Sequence, residues 1–199
     1  MKTRSTGIEY SDRLHDGREV RFDFLGPADR ADLLAGFEGL SSRSRYLRFF
    51  SAMPSLPDFI TDGLLNTDTH NHVAIGARLL SADGEIAPPI VGVARYFRTA
   101  GAPYVAEPAV AVVDELHTLG LGKLLLRRLS ETARANGISH FRSHVLSENE
   151  RIRSLLAGAG AEVVEYGDST LIYDVDIRRS ARPPRGVLAR LLEAMLQSG

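Results

Sequence analysis

The stretch HTLGLGKLLLRRL, residues 117–129, sets Gly120 and Gly122 two apart, just after the strand-like PAVAVVD and just before a run with helical apolar spacing. Without a Cβ, each glycine opens backbone conformations closed to other residues and lets a ligand approach the main chain. A helix entering there begins with N–H groups that have no intrahelical acceptor and with the positive end of its dipole. An anionic group, most often a phosphate, suits such a corner, although a packed strand-to-helix turn accounts for the same glycines. The other chemically capable residues form no comparable pattern. His140 and His144 alternate on a strand and His70 and His72 flank Asn71, but none has an acidic or cysteine partner at metal-site spacing, so no metal is expected. No Ser-His-Asp motif stands out.

Spacing excludes two familiar phosphate loops. A P-loop needs glycine at position 117 and Ser or Thr at 124, which hold His117 and Leu124. A dinucleotide fingerprint needs a third glycine where Leu125 stands.

The elements that must position this corner follow from hydrophobic periodicity. REVRFDFL, 18–25, alternates as a strand, and Asp29 can cap a helix carrying Leu33, Leu34 and Phe37. SSRSRYLRFF reads as a second helix capped by Ser41 or Ser42 and ended by Pro54 and Pro57. HVAIGARLL (72–80) and IVGVARYFR (90–98) read as a hairpin, with YVAEPAVAVV (104–113) the next strand. A helix from about Gly120 to Asn136 turns Leu121, Leu124, Leu125, Leu129 and Ala133 inward, and Gly137 ends it. FRSHVL, a helix in SENERIRSLLAGAG, and STLIYDVDI complete a mixed α/β sheet with helices on its faces.

Residues 1–17 are expected to be an N-terminal arm, 18–177 the folded domain, and 178–199 a proline-rich hinge with an amphipathic helix. That helix's Leu188, Leu191, Leu192 and Met195 would pack on the domain or form a homodimer contact. At 199 residues and 44% hydrophobic, one sizeable core is expected. With 24 basic residues against 25 acidic ones, no global field draws nucleic acid or an anionic membrane. The chain has no cysteine, which removes disulfides and thiol chemistry. No signal-peptide core or membrane-length apolar run is present, so a cytoplasmic enzyme or binding protein is the default class.

With the P-loop and the dinucleotide fingerprint set aside, HTLGLGK resembles the acyl-CoA pyrophosphate loop of the GNAT superfamily of N-acetyltransferases, whose pattern is Gln or Arg, two residues, Gly, any residue, Gly or Ala. The strand VAVVD precedes it, and FRSHVLSENERIRSLLAGAGAEVV is similar to the family's second half. The likeness covers about residues 18–177, and SSRSRYLRFF and AEPAVAVVDELHTLGLGK resemble the branch containing bacterial protein-lysine acetyltransferases.

The resemblance implies the GNAT fold, acetyl-CoA or another short acyl-CoA as co-substrate, and transfer to a primary amine, first a protein lysine and second a small amine. Main-chain N–H groups within His117, Thr118, Leu119, Gly120, Leu121, Gly122, Lys123 and Leu124 would ring the pyrophosphate, with His117 supporting the loop or serving as a plain turn residue. Lys123, Arg127 and Arg128 would meet the remaining phosphate or form a solvated face. Val110, Ala111, Val112 and Val113 would receive the pantetheine arm as an added strand would, and Pro108 calls for a bulge. Asn149 would contact the CoA arm or belong to a helix start. Glu107 matches the branch's general base, which must take a proton because lysine is protonated at neutral pH, unless it is a surface glutamate beside a turn. The usual general-acid Tyr is replaced by Leu156. An acyl-CoA-binding regulator without turnover, and a subunit of a larger acyltransferase assembly, are the competing readings.

Overall fold

Alternation along the strands sorts the apolar residues onto two faces of one sheet. In the computed structural model, residues 10–49, 53–147, 150, 153, 156, 157, 160–167 and 169–178 are described. Strands β1 (Tyr10–Arg13), β2 (Glu19–Phe24), β3 (His72–Leu79), β4 (Gly92–Arg98) and β5 (Val105–Val112) run antiparallel in that order. Beyond β5 lie β6 (His140–Leu146), then β8 (Thr170–Asp176), then β7 (Glu162–Tyr166) at the edge. Helices α1 (Arg30–Glu38), α2 (Ser42–Phe49) and α3 (Asp58–Leu65) separate β2 from β3, and α4 (Leu121–Ala135) joins β5 to β6.

Helix α4 covers one face. Its Leu121, Leu125, Leu126, Leu129 and Ala133 are fully buried against Val20, Phe22, Ile75, Ala94, Tyr96, Val110 and Val112, each leucine contributing about 1.5–3 kcal/mol by leaving water. The inward stripe therefore includes Leu126, while Leu124 lies half-buried at its margin. Gly92 permits this approach, because a Cβ there would sit 2.8 Å from Leu125. Gly137, at φ +79°, ends the helix as expected. On the opposite face Leu25, Leu33, Leu65, Ala74 and Ile90 form a smaller cluster beneath α1 and α3.

Several elements depart from expectation. The expected arm over residues 1–17 joins the sheet from Tyr10, where β1 pairs with β2, and Leu14 is buried. Strand β7 and helix α3 are further elements that apolar periodicity does not predict. β1 and β7 are mostly exposed edge strands, so they carry little apolar alternation. Ser41 caps α2, its Oγ accepting the Ser44 N–H at 3.1 Å. Asn149 and the tail from 179 lie outside the described residues.

Pro108 needs no bulge. It pairs with Tyr96 in an unbroken β4–β5 register. Val113 N–H donates to Val91 O and Thr99 N–H donates to Val105 O, so odd-numbered β5 residues direct their main-chain groups toward β4. Even-numbered ones point toward β6, where Tyr104 O accepts from Ser139 and His140. Pro108 is even-numbered, and its missing N–H costs the β4 ladder nothing.

Candidate active site

Strands β5 and β6 are parallel neighbours for only two residues, Val105 with His140 and Ala106 with Phe141. Beyond Ala106 they part. The strand alternation then leaves Pro108 C=O, Val110 N–H and C=O, and Val112 N–H facing a gap with no strand partner among the described residues. Such groups are an open edge for an extended, amide-bearing ligand. Of the four residues expected to hold such an arm, Val110 and Val112 present main-chain groups to the gap. Ala111 and Val113 bond back toward β4.

The gap ends at the glycine corner. Gly120 caps α4 in the left-handed conformation, φ 86° and ψ −1°, which a side chain resists by about 1–2 kcal/mol. Leu119 N–H donates to Leu116 O, while Lys123 and Leu124 N–H donate to Gly120 O. Thr118, Gly120, Leu121 and Gly122 N–H have no acceptor among the described residues, so the available donors are fewer than the eight-residue stretch suggested. They lie at a helix N-terminus, where the dipole favours negative charge.

His117 braces this corner. Its Nε2 donates to Val112 O at 2.9 Å, tying the turn to the last residue of β5. A second histidine, His15, was not anticipated. Its N–H donates to Leu119 O, and its Nε2 would stand 2.7 Å from a Cβ on Gly120. The sequence signal was faint, since His15 lies in a polar turn far from the loop. Among the basic residues of α4, Arg127 pairs with Asp12 of β1. Arg128 bonds Glu131 at 3.1 Å and stacks 4.2 Å over the Tyr10 ring. Both are engaged with neighbouring groups, whereas Lys123 is exposed.

Glu107 stands at the mouth of the gap, on the sheet face away from α4. Across β4 its register partner is Phe97, whose ring stacks on His72 at 3.9 Å. Across the gap, His144 Nε2 lies 3.3 Å from Glu107 Oε1. The Glu107 and His144 side chains are 53% and 51% exposed. Beside them, Arg142 forms a two-pronged bond to Asp174 at 2.8 and 2.7 Å, which holds its guanidinium charged. Leu156 is buried in the core, as is Tyr173, whereas Tyr166 is 77% exposed. Among the described residues no His, Cys, Asp and Glu cluster suits a metal ion.

The same face carries an apolar cleft lined by Leu33, Phe37, Leu56, Val93, Ala109 and Ala111. Helix α2 borders this side and is tethered to the end of β5 by Asp114. The carboxylate accepts Ser41 N–H at 2.7 Å, Ser41 Oγ–H at 2.9 Å and Ser44 Oγ–H at 2.8 Å. Burial alone would raise its pKa, but these donors outweigh burial and lower it. Arg45 of α2 is structural. It bonds Leu40, Pro54 and Glu38 carbonyls and stacks 4.4 Å over Phe37. The Tyr46 and Arg48 side chains lie outside the described residues.

A sequence model of the acetyltransferase (GNAT) family matches residues 42–160. An acetyltransferase of Pseudomonas aeruginosa is 30% identical over 154 residues, covering 77% of this chain and 81% of that protein. Acetyltransferase Pat of Mycolicibacterium smegmatis is 26% identical over 151 residues, 76% of this chain, which spans only 44% of that relative. Among solved structures, the GNAT domain of S. lividans PAT superposes with a TM-score of 0.71 at 25% identity, covering 87% of this chain and 99% of that one.

Proposed function

The chain belongs to the acetyltransferase (GNAT) family, and from that premise we propose that it transfers an acetyl group from acetyl-CoA to a protein lysine by direct attack, with Glu107 as general base. One observation carries this reading: β5 leaves β6 after Ala106, and the opened edge runs from Glu107 to a corner of unbonded N–H groups at Gly120. A thioester whose pantetheine lies along Val110 and Val112 would have its diphosphate at Thr118, Gly120, Leu121 and Gly122 and its acyl end near Glu107. Lys123 would face the remaining phosphate. Glu107 then accepts the amine proton directly or through water.

The lysine acceptor rests on two supports. SSRSRYLRFF and the stretch around Glu107 resemble the protein-lysine acetyltransferase branch, and one relative of this chain is named acetyltransferase Pat. A second reading, a small amine with an apolar body, is favoured by the apolar cleft beside Ala109 and Ala111, on the same sheet face as Glu107.

The test measures thiol release from acetyl-CoA with lysine-bearing proteins and small amines as acceptors, alongside calorimetric titration with CoA. Glu107→Gln should lower kcat about 10²- to 10⁴-fold while leaving CoA affinity unchanged. No CoA heat with the native chain rejects the corner as the cofactor site. CoA binding without thiol release from any acceptor favours a regulator over an enzyme.

A further inference from the structure

We propose that His144 is a second proton-transfer residue of this site, carrying the amine proton from Glu107 to the departing sulfur. The proposal rests on the transferase reading above and names a group that motif and family pattern leave vacant. The usual tyrosine position is Leu156, which is 1% exposed, buried in the core and without a proton to give. Tyr173 is also buried, at 4% exposure.

His144 is placed by the fold rather than by a motif. On β6, Phe141 and Val145 turn into the core. Strand alternation therefore puts Arg142 and His144 on the other face, which is also the face of Glu107. At Ala106 and Phe141 the two strands are in register, and from there the gap widens. The 3.3 Å approach of His144 Nε2 to Glu107 Oε1 bridges that gap at its mouth. Any thioester lying along the free edge of β5 passes between these two strands.

Charged groups of β6 and the neighbouring strands face the pair. From β6 comes Arg142, committed to Asp174 of β8 by a two-pronged bond. His140, also on β6, bonds Ser139 Oγ through Nδ1 at 2.8 Å. Glu162 and Glu165 of β7, Asp176 of β8 and Arg95 of β4 also lie on this face. Glu107 is the only carboxylate within ion-pair distance of His144 among the described residues.

The step balances without a co-reactant. The lone pair of a neutral amine forms the C–N bond at the thioester carbonyl carbon. The C–S bond breaks and sulfur departs with its electron pair. The amine's surplus proton passes to the Glu107–His144 pair, and His144 Nε2–H then protonates the thiolate. CoA leaves as a thiol and the pair returns to its starting state.

Thiol release from acetyl-CoA, with poly-L-lysine as acceptor, is measured for the native chain and His144→Gln over roughly pH 5.5 to 9. Glutamine keeps a hydrogen-bond donor for Glu107 but cannot carry a proton. His144→Gln should lose at least about tenfold in kcat, with KM for acetyl-CoA within about threefold and a changed pH profile. Retained kcat with a superimposable profile overturns the role of His144 and leaves the transferase reading standing. Ring ¹⁵N spectra of the chain without acceptor give a second readout. The His144 signals should move on Glu107→Gln, and unmoved signals overturn the pairing whether or not poly-L-lysine is acetylated.

Discussion

At Gly120 a single missing methyl group governs the corner. Its φ of 86° is unfavourable for any side chain, and His15 leaves little room for one. Gly120→Ala should lower unfolding free energy by about 1–2 kcal/mol in urea titration and weaken CoA binding. His72 makes a different prediction. Burial is the main cause that holds its pKa below the usual 6.5, with Arg95 acting the same way and the Asn66 carbonyl and Asp68 opposing. Below about pH 6.5 the unfolded chain takes up a proton that the folded chain resists. Stability should therefore fall as pH drops from about 7.5 to 5.5, and fall less in His72→Phe, as read from chemical denaturation at each pH. Glu107 and the two loop glycines were legible as residues because their spacing matched a known pattern. His144 and His15 were not, since each meets its partner only after the chain has crossed the sheet or closed a hairpin.

Helix α2 illustrates how an element is held by groups distant in sequence. Three donors from Ser41 and Ser44 converge on Asp114, so Asp114→Ala should destabilise the fold by about 1.5–3 kcal/mol. Hydrogen exchange should locate that loss in α2, and Asp114→Asn, which keeps one acceptor oxygen, should recover part of it. Helix α1 is held by close approach instead. A Cβ on Gly36 would collide with the Ile90 carbonyl oxygen, so Gly36→Ala should cost about 1–3 kcal/mol through displacement of α1. A lowered melting temperature with unchanged CoA affinity is the expected pattern, because α1 packs on the sheet face opposite α4 and its N-terminal glycine corner. The long elements were readable because their buried faces impose a period. β1, β7 and α3 were not, being short or lying at exposed edges. Arg127 and Arg128 show the same limit: by position they suit either a phosphate or a solvated face, and Asp12 and Glu131 engage them once β1 packs beside α4.

For the molecule as a whole, acid is the expected weak point. Asp68 is held well below its usual range chiefly by the His72 N–H, joined by the His70 and Asn71 N–H groups. Asp176 is lowered to about 2, first by the Arg178 side chain. These carboxylates stabilise the fold above their unfolded pKa near 3.9, and the contribution is lost as pH falls below it. Melting temperature should drop more steeply below about pH 4.5, and Asp68→Asn should flatten part of that drop. No helix of the described residues is long and apolar enough to cross a membrane. The order of long strands and helices, the glycine corner and the family were determined by the sequence itself, because local spacing and backbone freedom are properties of neighbouring residues. The parting of β5 from β6, the turning of Pro108 toward that gap and the meeting of Glu107 with His144 were decided only by the tertiary structure. Each depends on strand register across a crossover, which local periodicity does not encode.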